Sequence, residues 1–311
     1  MLNRRLIRIK VFQVVYAHLQ DETGSMNKAK SYLKNSIRSI DNNFFTVVLF
    51  PLELIHFIRT KLDPSDTMYL PKAEDISAYK ALNFNGLYEK IVQNEEVASH
   101  LARPNYKWET QDELLRNTYR KIRADERFAE FLSKTELTEE EAQAALISIY
   151  EFVIDEMEEF NHQMEEIDML WEDEKDAIKK AVKSYVKDLC RGKKARVPSK
   201  DDETDWEFAE QLFDKSVRNT AEFENMIASS AAKWDKDRIA KTDMVLMTMA
   251  LTEFVDFPYI PIKVTMNEYL ELAKEYSTPQ SSKFVNGILD KLQKQLKAEN
   301  RLIKKGRGMV G

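Results

Sequence analysis

Glycine and proline are scarce in this chain, at 7 and 8 residues among 311, where average usage is about 7% and 5%. Short β-rich runs between turn clusters are few as well, so the sequence reads as all-α. The single cysteine, Cys190, excludes an internal disulfide framework and a multi-cysteine zinc site, and its natural setting is a reducing compartment, the cytoplasm. Apolar runs of membrane-spanning length are lacking: FFTVVLFPLELIHFI (44–58) is interrupted by Pro51, Glu53 and His56 and is shorter than the ~20 residues of a span. No small-residue cleavage site follows the first twenty residues, which argues against a signal peptide. A phosphate loop, a nucleophile elbow and a Gly-rich dinucleotide turn are also missing, and Cys190 beside Arg191 reads as an incidental helix-end residue. The expectation is a soluble helical protein with no catalytic residues, no metal and no cofactor.

What is there is a core and an uneven charge. Hydrophobic residues make up 43% of the chain, enough for one large or two ordinary domains. The net charge of −6 argues against indiscriminate nucleic-acid binding, but both ends are basic: residues 1–20 carry Arg4, Arg5, Arg8 and Lys10 with no acid, and residues 291–311 carry seven Lys or Arg against Glu299 alone. Between Glu136 and Asp176, sixteen acids face only Lys175. Such a block reads first as a solvated helix face.

The opening NRRLIRIKVFQVVYAHLQ is a helix by period, with Phe12, Val15, Tyr16 and Leu19 on one side and Arg4, Arg5 and Arg8 on the same side one to three turns earlier. Arginines oppose the macrodipole at a helix start, so they mark either a plain solvated end or an external anion. Thr110-x-x-Glu113, Thr138-x-x-Glu141 and Thr265-x-x-Glu268 fit the capping box. RGKKARVPSKDDETD (191–205) is the clearest linker, with Gly192 ending a helix before it and periodic material resuming at Trp206. In SSKFVNGILDKL (281–292) the hairpin signal Asn286-Gly287 competes with a helical stripe of Phe284, Val285, Ile288, Leu289 and Leu292. The helix prevails, and Gly287, off the stripe, suits close backbone approach by a neighbouring helix or a ligand.

Taken together, the arginine-rich helix running into VFQVVY, WDKDRIAKTDMVLMTMALTEF, IPIKVTMNEYLELAKEY and KFVNGILDK resemble the NusB family of transcription antitermination factors. The resemblance covers residues 1 to about 20 and about 203 to 297. It implies an all-helical, non-catalytic protein that binds single-stranded boxA-type RNA of ribosomal RNA operons with ribosomal protein NusE, within the RNA polymerase antitermination complex. It also implies an RNA surface made by Arg4, Arg5, Arg8, Gln13 and Tyr16 of the first helix and by Lys283, Phe284 and Asn286 of the last. On this reading residues 1–20 and 203–297 form one discontinuous RNA-binding domain, 21–202 a helical insertion carrying the acidic segment 136–176, and 298–311 a basic flexible tail.

Two other readings compete. A protein–protein adaptor without RNA recognition would use the acidic insertion to hold basic partners. A di-iron bundle would use Glu53-x-x-His56 and Glu159-x-x-His162, whose spacing puts two ligands on one helix face.

Overall fold

A computed structural model of the chain describes residues 4–21, 24–84, 86–103, 108, 110–193, 195, 197, 203–231, 239–278 and 280–306. The described residues form helices and their connections, with no strand among them. The elements are α1 (Arg4–Gln20), α2 (Met26–Lys61), α3 (Pro64–Thr67), α4 (Ala73–Leu82), α5 (Leu87–Val92), α6 (Glu95–Leu101), α7 (Asp112–Ala124), α8 (Glu126–Leu132), α9 (Glu139–Glu156), α10 (Glu158–Ile167) and α11 (Trp171–Cys190). After the 191–202 connection come α12 (Glu203–Ser230), α13 (Lys241–Asp256), α14 (Ile262–Tyr276) and α15 (Ser281–Ala298). They divide into two compact units, Arg38–Lys200 and Leu2–Ile37 with Asp201–Gly311. α2 belongs to both, its first turns to the second unit and the remainder to the first.

The first unit is built on the apolar stretch of α2. By length and composition α2 could cross a membrane, but 72% of its most apolar 18-residue window is buried inside the protein, as in a core helix. Pro51 sits inside it and cannot donate to the carbonyl one turn back. The carbonyls flanking that gap accept other donors: Thr46 O takes Trp108 Nε1 at 2.7 Å, and Val48 O takes the Tyr150 hydroxyl at 2.7 Å. Both rings are fully buried. α9 starts on the expected box, with Thr138 Oγ1 accepting from Glu141 N and Glu141 Oε2 accepting from Thr138 N at 2.9 Å. Gly192 (φ 64°) closes α11 in the left-handed conformation, where Lys193 N donates back to Asp188 O. Most acids of segment 136–176 are exposed, and Glu174, the buried one, accepts from Asn43 Nδ2 at 2.9 Å.

In the second unit α13 is central, packed against α1, α12, α14 and α15. Its residues Val245 to Phe254 are all buried, the pattern of a helix apolar around its whole circumference. α1 is similarly enclosed from Leu6 to Phe12. Lys30, in the opening turns of α2, donates to Asp214 at 2.6 Å.

Several sequence expectations are corrected here. α7 begins at Asp112 with Gln111 as cap, so Thr110 and Glu113 form no box. α14 begins at Ile262, four residues earlier than expected; Thr265 is inside the helix, and Thr265 and Glu268 bond to other elements instead of capping. The described part of the C-terminal segment, 299–306, makes specific contacts. Arg301 pairs with Glu222 at 2.6 Å, Lys304 Nζ donates to Glu253 O (3.1 Å) and Phe257 O (3.0 Å), and Lys305 N donates to Pro258 O (2.9 Å). Lys304 thereby bonds a carbonyl in the last turn of α13 and the one that follows the helix.

Candidate nucleic-acid interface

The residues singled out from the sequence fall into two groups at opposite ends of α1. With a rise of about 1.5 Å per residue, roughly 12–18 Å separates Arg4 and Arg5 from Gln13 and Tyr16.

At the first end the three arginines have three different fates. Arg4 is exposed, its guanidinium 4.8 Å from the centroid of the Phe208 ring. Arg5 is half-buried and forks onto Glu268, with Nε to Oε2 at 3.1 Å and Nη2 to Oε1 at 3.3 Å. Arg8 is interior, at 2% exposure, and grips Glu253 through Nε to Oε1 (2.6 Å) and Nη2 to Oε2 (2.9 Å). Glu253 is itself completely buried and also accepts from Thr265 Oγ1 (3.0 Å) and the Tyr269 hydroxyl (2.9 Å). Burial opposes the Arg8 charge, but the Glu253 carboxylate and its hydrogen bonds outweigh it and hold the guanidinium above its ordinary pKa. Burial, reinforced by the same carboxylate, pushes the Tyr269 phenol well up. An arginine committed in this way cannot also present itself to a phosphate, so the expected surface role of Arg8 gives way to one of joining α1, α13 and α14.

At the other end, Phe12 packs on Tyr276 (5.2 Å between centroids) and on half-buried Tyr16 (6.2 Å). Gln13 is also half-buried. Tyr276 ends α14, and the adjoining hydroxyls of Ser277 and Thr278 each lie 2.9 Å from Ser281 Oγ at the start of α15. Ser281 Oγ donates to Asp243 Oδ2 at 2.8 Å, tying the starts of α13 and α15 together. Lys241, the first residue of α13, reaches back to Gln20 Oε1 at 2.5 Å. Beyond this knot, Lys283, Asn286 and Gly287 are exposed and Phe284 is half-buried, above the buried Val285, Ile288, Leu289 and Leu292. The first turn of α15 carries no acid of its own, and the Asp243 carboxylate held by Ser281 lies at its buried side. Outside its own turn of helix, no atom of the described residues lies within 4 Å of where a Cβ on Gly287 would stand, so no neighbouring helix among them requires this glycine.

Sequence reasoning missed the partners Glu253 and Glu268, the rings of Phe208 and Tyr259, and Lys241. A signal existed for Glu253: it is the only acid in the run 244–255, and an acid in an otherwise apolar helix needs a buried cation. The di-iron reading finds no support in the geometry. Glu159 is held by Asn117 and Lys121, His56 and His162 are exposed, and no group of three or more His, Cys, Asp or Glu able to hold a metal occurs among the described residues. Burial pushes the Cys190 thiol up, away from thiolate reactivity.

An all-helical unit with a basic, aromatic-bearing face at the start of its last helix is the setting in which the comparisons fall. The model of the NusB family matches residues 142–294. Transcription antitermination protein NusB of Salinibacter ruber is 41% identical over 116 residues, covering 37% of this chain and 72% of that protein. The proteins of the same name from Chloroherpeton thalassium and Koribacter versatilis are 39% and 36% identical over 104 and 94 residues, spanning 49% and 64% of their own lengths. No solved structure matches the chain. The chain belongs to the NusB family. The matched region begins in α9, within the segment that the resemblance assigned to an insertion, and residues 1–20 lie outside it.

Proposed function

We propose that this protein is a cytoplasmic transcription antitermination factor that binds single-stranded boxA-type RNA of ribosomal RNA operons. It does so together with ribosomal protein NusE, as a non-catalytic component of the RNA polymerase antitermination complex. Membership of the NusB family and the names of its relatives support the role. The observation that carries the RNA reading is the start of α15, where exposed Lys283 and Asn286 flank half-buried Phe284 on a turn with no acid of its own. Unpaired bases expose faces for an aromatic ring and edges for an amide, while the backbone follows the cation. Gln13 and Tyr16 belong to the same surface, Arg4 and Arg5 form a second contact at the other end of α1, and Arg8 fixes the helix that carries them. The RNA-binding domain is placed in residues 1–20 and 203–297.

The test is a titration of the full chain with ribosomal leader RNA, with and without NusE. Phe284→Ala is expected to weaken RNA binding by about 1–3 kcal/mol with little change in melting, and Leu289→Ala to destabilise the fold by about 2–5 kcal/mol. Arg4→Ala should lower the slope of log affinity against log salt by about 0.7. Absence of RNA binding by the folded chain, or of any complex with NusE, transfers the assignment to a protein–protein adaptor.

A further inference from the structure

We propose that a cleft on the second unit, at the corner where α13 turns into α14, is a seat for one unpaired base of the RNA, with guanine preferred to uracil. The proposal rests on the RNA-binding reading and locates a part of the RNA path that no residue of α15 provides.

The cleft has a volume of about 410 Å³ and is lined by Arg4, Glu207, Phe208, Asp256, Phe257 and Tyr259 among others. That is within the range of small-ligand sites, about 300–1,000 Å³. Phe208 and Phe257 meet edge to face at 5.4 Å and form an apolar floor. Tyr259 is 72% exposed, yet its backbone is held on both sides: Ile260 N donates to Phe257 O at 3.1 Å, and the docked C-terminal segment bonds Pro258 O through Lys305 N at 2.9 Å. A large ring left in water on a fixed backbone loses little entropy when a planar group stacks on it.

One cation, Arg4, lines the cleft, and two lysines lie close to residues that line it. Arg4 lies over Phe208, Lys215 Nζ lies 4.9 Å from the Phe257 centroid while donating to Asp256 O, and Lys305 is exposed beside Pro258. Stacking surface with flanking positive charge is the combination that holds single-stranded nucleic acid. Arg4 belongs to both the cleft and the exposed first turn of α1.

The two acids supply the choice of base. Asp256 Oδ2 accepts from Asn219 at 2.9 Å and Glu207 Oε1 from Gln211 at 2.8 Å, and a carboxylate has lone pairs beyond one such bond. Guanine offers adjacent N–H donors on one edge, matching a carboxylate. Uracil brackets its one ring N–H with two carbonyl oxygens, which a carboxylate repels.

The experiment uses the full chain and two fluorescent single-stranded oligonucleotides of equal length, oligouridine and alternating uridine–guanosine. Tyr259→Ala should weaken the guanosine-containing strand about tenfold or more and oligouridine much less, Tyr259→Phe should restore binding, and Glu207→Gln with Asp256→Asn should erase the preference. Melting curves confirm that the exposed Tyr259 is replaced without unfolding. Wild-type RNA binding that Tyr259→Ala leaves unchanged overturns the base seat and leaves the RNA-binding reading standing. Equal losses on both strands overturn the guanine preference. A wild-type chain that binds neither these strands nor leader RNA overturns the RNA-binding reading, and the seat with it.

Discussion

The two units handle charge in opposite ways. In the first, ion pairs such as Lys61–Asp112 and Lys121–Glu159 sit at the surface with both partners about half exposed. Its buried rings set their polar atoms on backbone carbonyls or amides, as Trp108, Tyr150 and Trp171 do, and its fully buried carboxylate, Glu174, accepts from the Asn43 amide. In the second, an arginine and a glutamate are enclosed together, with 3% and 0% of their side chains exposed. A surface pair is screened and contributes about 0–1 kcal/mol. A buried pair has large opposing terms and is a weak source of net stability, but losing one partner is costly. The difference teaches that the basic character of α1 serves two purposes. Its outermost arginine faces solvent, and its innermost one fixes where the helix lies.

The sharpest way to break this comparison is to separate the units. Residues 2–37 joined to 201–311 through a flexible linker keep the Lys30–Asp214 contact, and a long surface loop adds a closure cost that grows only slowly with its length. This excised chain is expected to melt cooperatively and to bind leader RNA, whereas a cut at Gln20 discards Lys30 and should melt lower. The family match begins at residue 142, which sets the competing boundary. If the excised chain aggregates while one retaining 142–200 folds, α9–α11 supply core to the RNA-binding domain and the division at 201 is wrong. Circular dichroism and an RNA titration distinguish the two.

A smaller effect separates the kinds of ion pair. Glu253→Ala strands the Arg8 cation in the interior and removes the acceptor of Thr265 and Tyr269, so a loss of about 3–5 kcal/mol is expected. Lys61→Ala should cost no more than about 1 kcal/mol. Denaturant titrations of the full chain measure both. Comparable losses for the two variants would remove the distinction between the units.

Local pattern reached some of this arrangement and not the rest. The helical class followed from scarce glycine and proline, and α15 from apolar residues at three- and four-residue spacing, because both are properties of a few consecutive turns. The Thr138 box was legible for the same reason. The Thr265 box was not, since its residues satisfy the pattern but find better partners on α1 and α13. Arg8 and Glu253 are 245 residues apart in sequence. Helical period places Arg8 on the apolar side of α1 but cannot show whether that side ends in water or meets another helix. The contacts of the basic C-terminal segment were not legible for a related reason, because composition records the charge of Lys304 and not the carbonyls at the end of α13 that receive it.

The smallest expected effect addresses the glycine inside α15. Gly287 is exposed, it has no positive φ, and a methyl group there would meet no atom of the described residues within 4 Å outside its own turn of helix. Within the folded chain, alanine at this position is therefore better than glycine, both through helix propensity and through fewer unfolded conformations, by about 0.4–1 kcal/mol. A residue that makes its own protein less stable and that no neighbouring element needs is best explained by something that comes from outside. Asn286 beside it is exposed, and Lys283 lies one turn earlier. Gly287→Ala is accordingly expected to raise the melting temperature slightly and to weaken leader RNA binding, because the added methyl stands where the RNA backbone or a base approaches. Measuring both on the same protein matters, since a gain in stability with unchanged affinity would show that the RNA does not touch this turn of α15 and would confine the contact to Lys283 and Phe284.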